Sequence, residues 1–148
     1  MTRLGDKRAL YLKALRQYRD NDHARLRRLF SAGQSVKDGF AKILFGISSE
    51  SREEHERGCL LLSANMERDA KDRVIAEFLL DNQLKTEAIF TGALQRAQAG
   101  GEVSANQNPA ALARFFVATI QGMRAMAKLN SNRKALEEVA KLALSTLD

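Results

Sequence analysis

The chain has 148 residues, of which 45% are hydrophobic and 28% charged, with a formal net charge of +6. That length points to one domain able to bury roughly 68–70% of its unfolded surface, and the proportions are those of an ordinary soluble globular protein. A single cysteine, Cys59, excludes an internal disulfide and makes a reducing cytoplasm the default, while the absence of any long uninterrupted apolar run excludes a bilayer span and any expected membrane role.

Helix is the only regular element the pattern predicts, because there is one proline and no sustained period-two alternation. Asp6 is a suitable N-cap for a first helix through Leu10, Leu12, Leu15, Tyr18, Leu26, Leu29 and Phe30, with Asn21-Asp22 as a point of bending. This is the basic end: residues 1–42 hold eleven Lys/Arg against four Asp/Glu, whereas residues 50–87 hold six against ten. Such a bias fits proximity to phosphate, although a solvated basic helix has the same composition. Ala32-Gly33 ends the helix, and Ser35 with Asp38 opens a second along Val36, Phe40, Ile43, Leu44 and Ile47. Ser51 and Glu54 form another capping box, leading into a short apolar helix over 58–69. Asp69 or Asp72 then caps a long helix to Ala99, with Val74, Ile75, Phe78, Leu84, Ile89, Phe90 and Leu94 inward, and Gly100-Gly101 stops it.

Asn108-Pro109 supplies an N-cap and an N1 proline for the helix 110–128, which is apolar on nearly every side. One face carries bulk, in Leu112, Phe115, Phe116, Ile120, Met123 and Ala127; another carries Ala111, Ala118, Gly122 and Ala125. A glycine inside a helix costs about 0.8–1 kcal/mol against alanine, so close approach of another helix is expected to repay Gly122. The turn Asn130–Asn132 is short enough to make the last helix, 133–147, antiparallel to this one. Its apolar positions are Leu136, Val139, Ala140, Ala143, Leu144 and Leu147. The expected architecture is therefore an all-α single domain of about six helices. The last two form an intersubunit four-helix bundle in a homodimer, with Ala111, Ala118, Gly122, Ala125, Leu136, Val139 and Ala143 at the interface.

Catalytic and metal chemistry find little support. His55 and Cys59 are four apart, but two ligands make no metal site, and His55 reads as an exposed residue in the acidic run 53–57. Cys59 lies in an apolar run, where cysteine usually behaves as a small hydrophobe rather than a sensor. With no nucleophile motif and no phosphate-cradling glycine loop, neither an enzyme nor a cofactor is expected.

GCLLLSANME (58–67), AQAGGEV (97–103) and NPAALARFFVATIQGMRAMAK (108–128) together resemble the C-terminal domain of TetR-family transcriptional regulators. Upstream, Gly5–Tyr11 is similar to the family's join between its DNA-binding domain and its first core helix, so the resemblance spans essentially the whole chain. It implies a homodimeric, cytoplasmic repressor in which a small apolar effector enters the helical core and moves the first helix as a lever. It also implies a pocket, expected here among Phe40, Leu44, Leu62, Asn65, Met66, Phe78, Phe116 and Ile120, whose helical periods all point inward, with Asn65 orienting the ligand. The family's lysine at the position of Lys7 commonly contacts a DNA phosphate. The family's helix-turn-helix would precede Met1, so DNA is expected to be read only through a head not present in this sequence, and Leu4 stands where the family usually has an aromatic residue. The alternative reading is a headless helical interaction protein, or a small-molecule carrier, that dimerises through the same seam.

Overall fold

The computed structural model describes residues 3–148, with side chains from residue 5 onward, so the Leu4 side chain lies outside the described residues. Among the described residues seven helices follow one another: α1 (Arg3–Leu29), α2 (Val36–Ser49), α3 (Arg52–Arg57), α4 (Leu60–Glu67), α5 (Arg73–Ala99), α6 (Pro109–Leu129) and α7 (Arg133–Ser145). No strand occurs among the described residues, as the pattern predicted.

Local signals set most of the helix ends. Ser35, Ser51, Asp72, Asn108 and Asn132 each accept a backbone N–H of the first turn they precede, and Ser51 with Glu54 completes a reciprocal capping box. The segment after Ser51 differs from expectation: one helix was predicted and two are present. Gly58 separates them, with φ +66° and ψ −165°, a conformation essentially reserved for glycine. α1 is continuous across Asn21-Asp22, and Asp6 lies in its first described turn rather than at its cap.

α5 and α6 run antiparallel, joined by the loop in which Gln98 Nε2 donates to the carbonyls of Ser104 and Gln107 at 3.0 and 2.7 Å. α6 and α7 are also antiparallel, since Gln107 Nε2 reaches forward to the Thr146 carbonyl at 3.0 Å. α7 packs mainly on α2 of the same chain, and Lys37 at the start of α2 pairs with Asp148. At the other end of that pair His55 is 2% exposed, against the expectation of a solvent residue. Its Nε2 donates to the Ile47 carbonyl, which can only accept, and its Nδ1 bonds the Ser131 hydroxyl, both at 2.6 Å. The two bonds tie α3 to the end of α2 and to the α6–α7 turn.

Two apolar clusters hold these helices. The larger is centred on Phe30, Phe40, Phe90 and Phe116, with Phe40 stacked on Phe116 at 3.9 Å between ring centroids. Phe30 and Phe90 meet Phe40 at 4.8 and 4.9 Å, in tilted and edge-on geometries that suit the ring quadrupoles. The smaller cluster gathers Leu15, Leu61, Ala64 and Ile75, where α1, α4 and the first half of α5 meet. Of the α5 residues expected inward, Ile75, Phe90 and Leu94 are buried, joined by Ala93, whereas Val74 and Leu84 are more than half exposed.

Candidate ligand-binding cavity

Between the two clusters lies a cavity of about 280 Å³, walled by α1, α4, α5 and α6, with Ile43 contributed by α2. Leu26, Ile43, Phe90 and Val117 belong to the larger cluster and Leu61 to the smaller, so the space is a gap where two cores fail to merge. The volume sits just below the range of about 300–1,000 Å³ for drug-sized ligand pockets.

Polar groups punctuate the wall. Tyr18 donates its hydroxyl to Cys59 Sγ at 3.5 Å, and burial first, then the neighbouring thiol, pushes the tyrosine well above its ordinary value. It is therefore a protonated donor at neutral pH. Arg124 lies 3.2 Å from Glu50, with about four-fifths of each side chain buried, at 19% and 21% exposure. Thr86 gives its hydroxyl proton to the Asn82 carbonyl at 3.0 Å, so His23 Nε2, 3.2 Å away, carries the proton between them. Burial, the largest influence on His23, lowers its pKa and keeps the ring neutral. Among the described residues no group of three or more His, Cys, Asp or Glu is placed to hold a metal ion.

Of the residues expected in the pocket, Leu62, Asn65 and Ile120 line the cavity. Phe40, Leu44 and Phe116 do point inward, but all three are fully buried in solid packing and form no part of the wall. Met66 is 64% exposed on the outer side of α4. Phe78 is half-buried beneath the Arg19 guanidinium, 4.7 Å from its ring centroid, in a cation–π contact outside the cavity. Tyr18, Arg68, Asn82, Thr86 and Arg124 also line the cavity and are not among the residues expected there. A usable signal was present for two of them: Asn82 and Thr86 are four apart, on one face of a helix whose neighbouring positions are apolar.

The other expected positions lie elsewhere. Ala111, Ala118 and Gly122 are exposed along α6 and Ala125 is half-exposed, beside Phe115, Met126 and Leu129 at 40%, 46% and 91% exposure. Leu136 and Ala143 are buried in the chain's own core, because α7 turns them onto α2; Val139 is half-buried against the same core, and the outward large apolar residue of α7 is Leu142. Lys7 is exposed near the start of α1. Its neighbour Arg8 donates to both carboxylate oxygens of Asp72 at 2.8 and 2.9 Å. That bond first, and the Ile75 backbone N–H next, hold Asp72 below its ordinary range, so one carboxylate both caps α5 and fastens α1 to it.

The profile of the "Tetracyclin repressor-like, C-terminal domain" family matches residues 43–143. The chain belongs to the TetR family of transcriptional regulators. Within that family it is 25% identical over 146 residues to YezE of Bacillus subtilis strain 168, described as an uncharacterized HTH-type transcriptional regulator; the match covers 97% of this chain and 75% of YezE. The fold is similar to that of the TetR-family regulator CifR, solved as cysteine mutants complexed with 26-base-pair operator DNA. Two such structures give TM-scores of 0.83 and 0.82 at 23% and 24% identity, over 97% of this chain and 76% of theirs. Among the described residues no helix is long and apolar enough to cross a membrane.

Proposed function

We propose that this chain is the effector-binding and dimerisation part of a TetR-family repressor. The observation that carries the reading is the cavity between the two clusters, because its wall includes Tyr18 and Leu26 of α1. A small, mostly apolar molecule seated there touches the same helix that bears Lys7 and the Arg8–Asp72 clamp at its other end. In this account α1 is the lever, and DNA is read by a helix-turn-helix joined to it outside the present sequence. The description of YezE as an HTH-type regulator and the operator complexes of CifR support that role. Energetically, the effector must bind one position of α1 more tightly than the other, since a ligand with equal affinity for both shifts nothing.

The same reading makes the chain a homodimer through α6 and α7. Ala111, Phe115, Ala118, Gly122, Met126 and Leu129 recur at steps of three and four along α6, and all are exposed. They form an apolar stripe along α6 that a monomer would leave in water, and Leu142 of α7 is likewise exposed, at 73%. A screen of small apolar molecules by thermal shift tests the effector role: a binder at 100 times its dissociation constant stabilises by about 2.7 kcal/mol. No rise in Tm across uncharged, anionic and cationic sets would remove the effector role.

A further inference from the structure

We propose, resting on the effector reading above, that the cavity is built for a small anionic amphiphile, a molecule with one carboxylate head and an apolar body. The charges on the wall are unbalanced: Arg25, Arg68 and Arg124 face the cavity against a single carboxylate, Asp22. Arg25 pairs with Asp22 at 3.3 Å, so those two cancel. Arg124 is matched by Glu50 at 3.2 Å, and Glu50 is not itself part of the wall. Arg68 differs. Among the described residues no carboxylate lies within salt-bridge distance of it, and its one side-chain hydrogen bond runs from Nε to Asn65 Oδ1 at 3.3 Å. Asp72 is near enough to feel its charge, but both oxygens of Asp72 are occupied by Arg8. The two terminal nitrogens of Arg68 are thus charged donors that no carboxylate among the described residues takes up.

A guanidinium presents its donors as a planar fork that matches a carboxylate, and a cleft lined by one sign of charge gathers ligands of the other. Leu61 and Leu62 from α4 and Leu79 and Leu80 from α5 bring apolar surface to the same wall, where a hydrocarbon body is sheltered. A neutral ligand would leave Arg68 to water. A cationic one would meet the unbalanced guanidinium directly.

Calorimetric titration of the full chain with octanoate, 1-octanol and octylamine at pH 7.5 tests this, because the three share a tail and differ only in the head. Octanoate is expected to bind about tenfold more tightly than 1-octanol, the gain of a partly exposed charge-assisted pair, with octylammonium the weakest. Arg68→Gln should bring octanoate down to the affinity of 1-octanol and leave 1-octanol itself unchanged, while Arg68→Lys retains part of the difference. The inference is overturned if 1-octanol or octylammonium binds as tightly as octanoate. It is equally overturned if Arg68→Gln weakens octanoate and 1-octanol alike, which would make Arg68 a structural residue. In both of those cases the effector reading survives. Binding of none of the three removes this cavity as an effector site, and the inference falls with it.

Discussion

Glu102 caps a helix that begins 66 residues before it: its Oε1 accepts the Val36 backbone N–H at 2.9 Å. The other oxygen takes the Ser35 hydroxyl at 2.8 Å and the Lys37 N–H at 3.2 Å, so one carboxylate closes the N-terminus of α2 where the helix dipole favours negative charge. The connection fixes the α5–α6 loop to α2, and α2 is the element on which α7 packs. Burial works against the charge, but the hydrogen bonds from Val36, Ser35 and Lys37 outweigh it and hold the carboxyl below its ordinary value of 4.5.

Glu102→Gln should therefore cost about 1 kcal/mol at neutral pH, the usual scale of a lost cap. The folded pKa is the lower one, so the contribution is complete above 4.5 and is lost as pH falls through the folded value. Denaturant melts of the two proteins from pH 7 down to pH 3 should show a constant gap that narrows below pH 4.5. A gap that stays constant to the acid end would mean the charge contributes nothing.

Gly39 is required by packing. A Cβ at this position would lie 2.5 Å from the Phe30 ring and 3.2 Å from the Leu29 carbonyl. Phe30 cannot swing away, since it is held between Phe40 and Phe90. Gly39→Ala is expected to destabilise by about 1–3 kcal/mol through overpacking, despite alanine's better helix propensity. Equilibrium unfolding checks this, and a variant as stable as the parent would show that the Phe30 contact is looser than described.

These two residues mark where reading the sequence reached its limit. The caps at Ser35, Ser51, Asp72 and Asn108 were legible because a cap acts within one turn of its own helix. Glu102 was visible only as part of a motif, since its partner lies four helices back in sequence, at the start of α2. His55 looked like a solvated residue among acids, because nothing local reveals that Ile47 and Ser131 converge on it. Periodicity told correctly that Phe40, Leu44 and Phe116 turn inward, yet it cannot say whether the interior at that point is solid or hollow. The wall of the cavity instead sets polar residues, Tyr18, Asn82, Thr86 and Arg124 among them, beside apolar ones, and an amphipathic pattern assigns such residues to the outside. For the same reason α7 was misread in part. Leu136 and Ala143 share its apolar face with the core contacts to α2, and only a structure separates them from the outward Leu142.

Gly122 should be required by a partner rather than by its own fold. A Cβ there would meet nothing within 4 Å in the chain itself, and the residue is exposed. Sedimentation at micromolar concentration should find the unmodified chain dimeric and Gly122→Leu shifted towards monomer, with a loss of about 1–3 kcal/mol from overpacking the seam. A monomeric parent would remove the homodimer, and an unchanged dimer in the variant would place the interface elsewhere.

If the space between the two clusters is a ligand site, filling it abolishes binding. Ala76 sits half-buried on the cavity wall, so Ala76→Phe should occupy the volume while leaving the surrounding helices in place. Octanoate titrated into the parent chain by calorimetry is predicted to bind at one site per chain. The same titration into Ala76→Phe is predicted to give no heat, with the variant's own Tm at or above that of the parent. Equal binding by parent and variant would contradict the account, because the ligand would then lie outside the cavity.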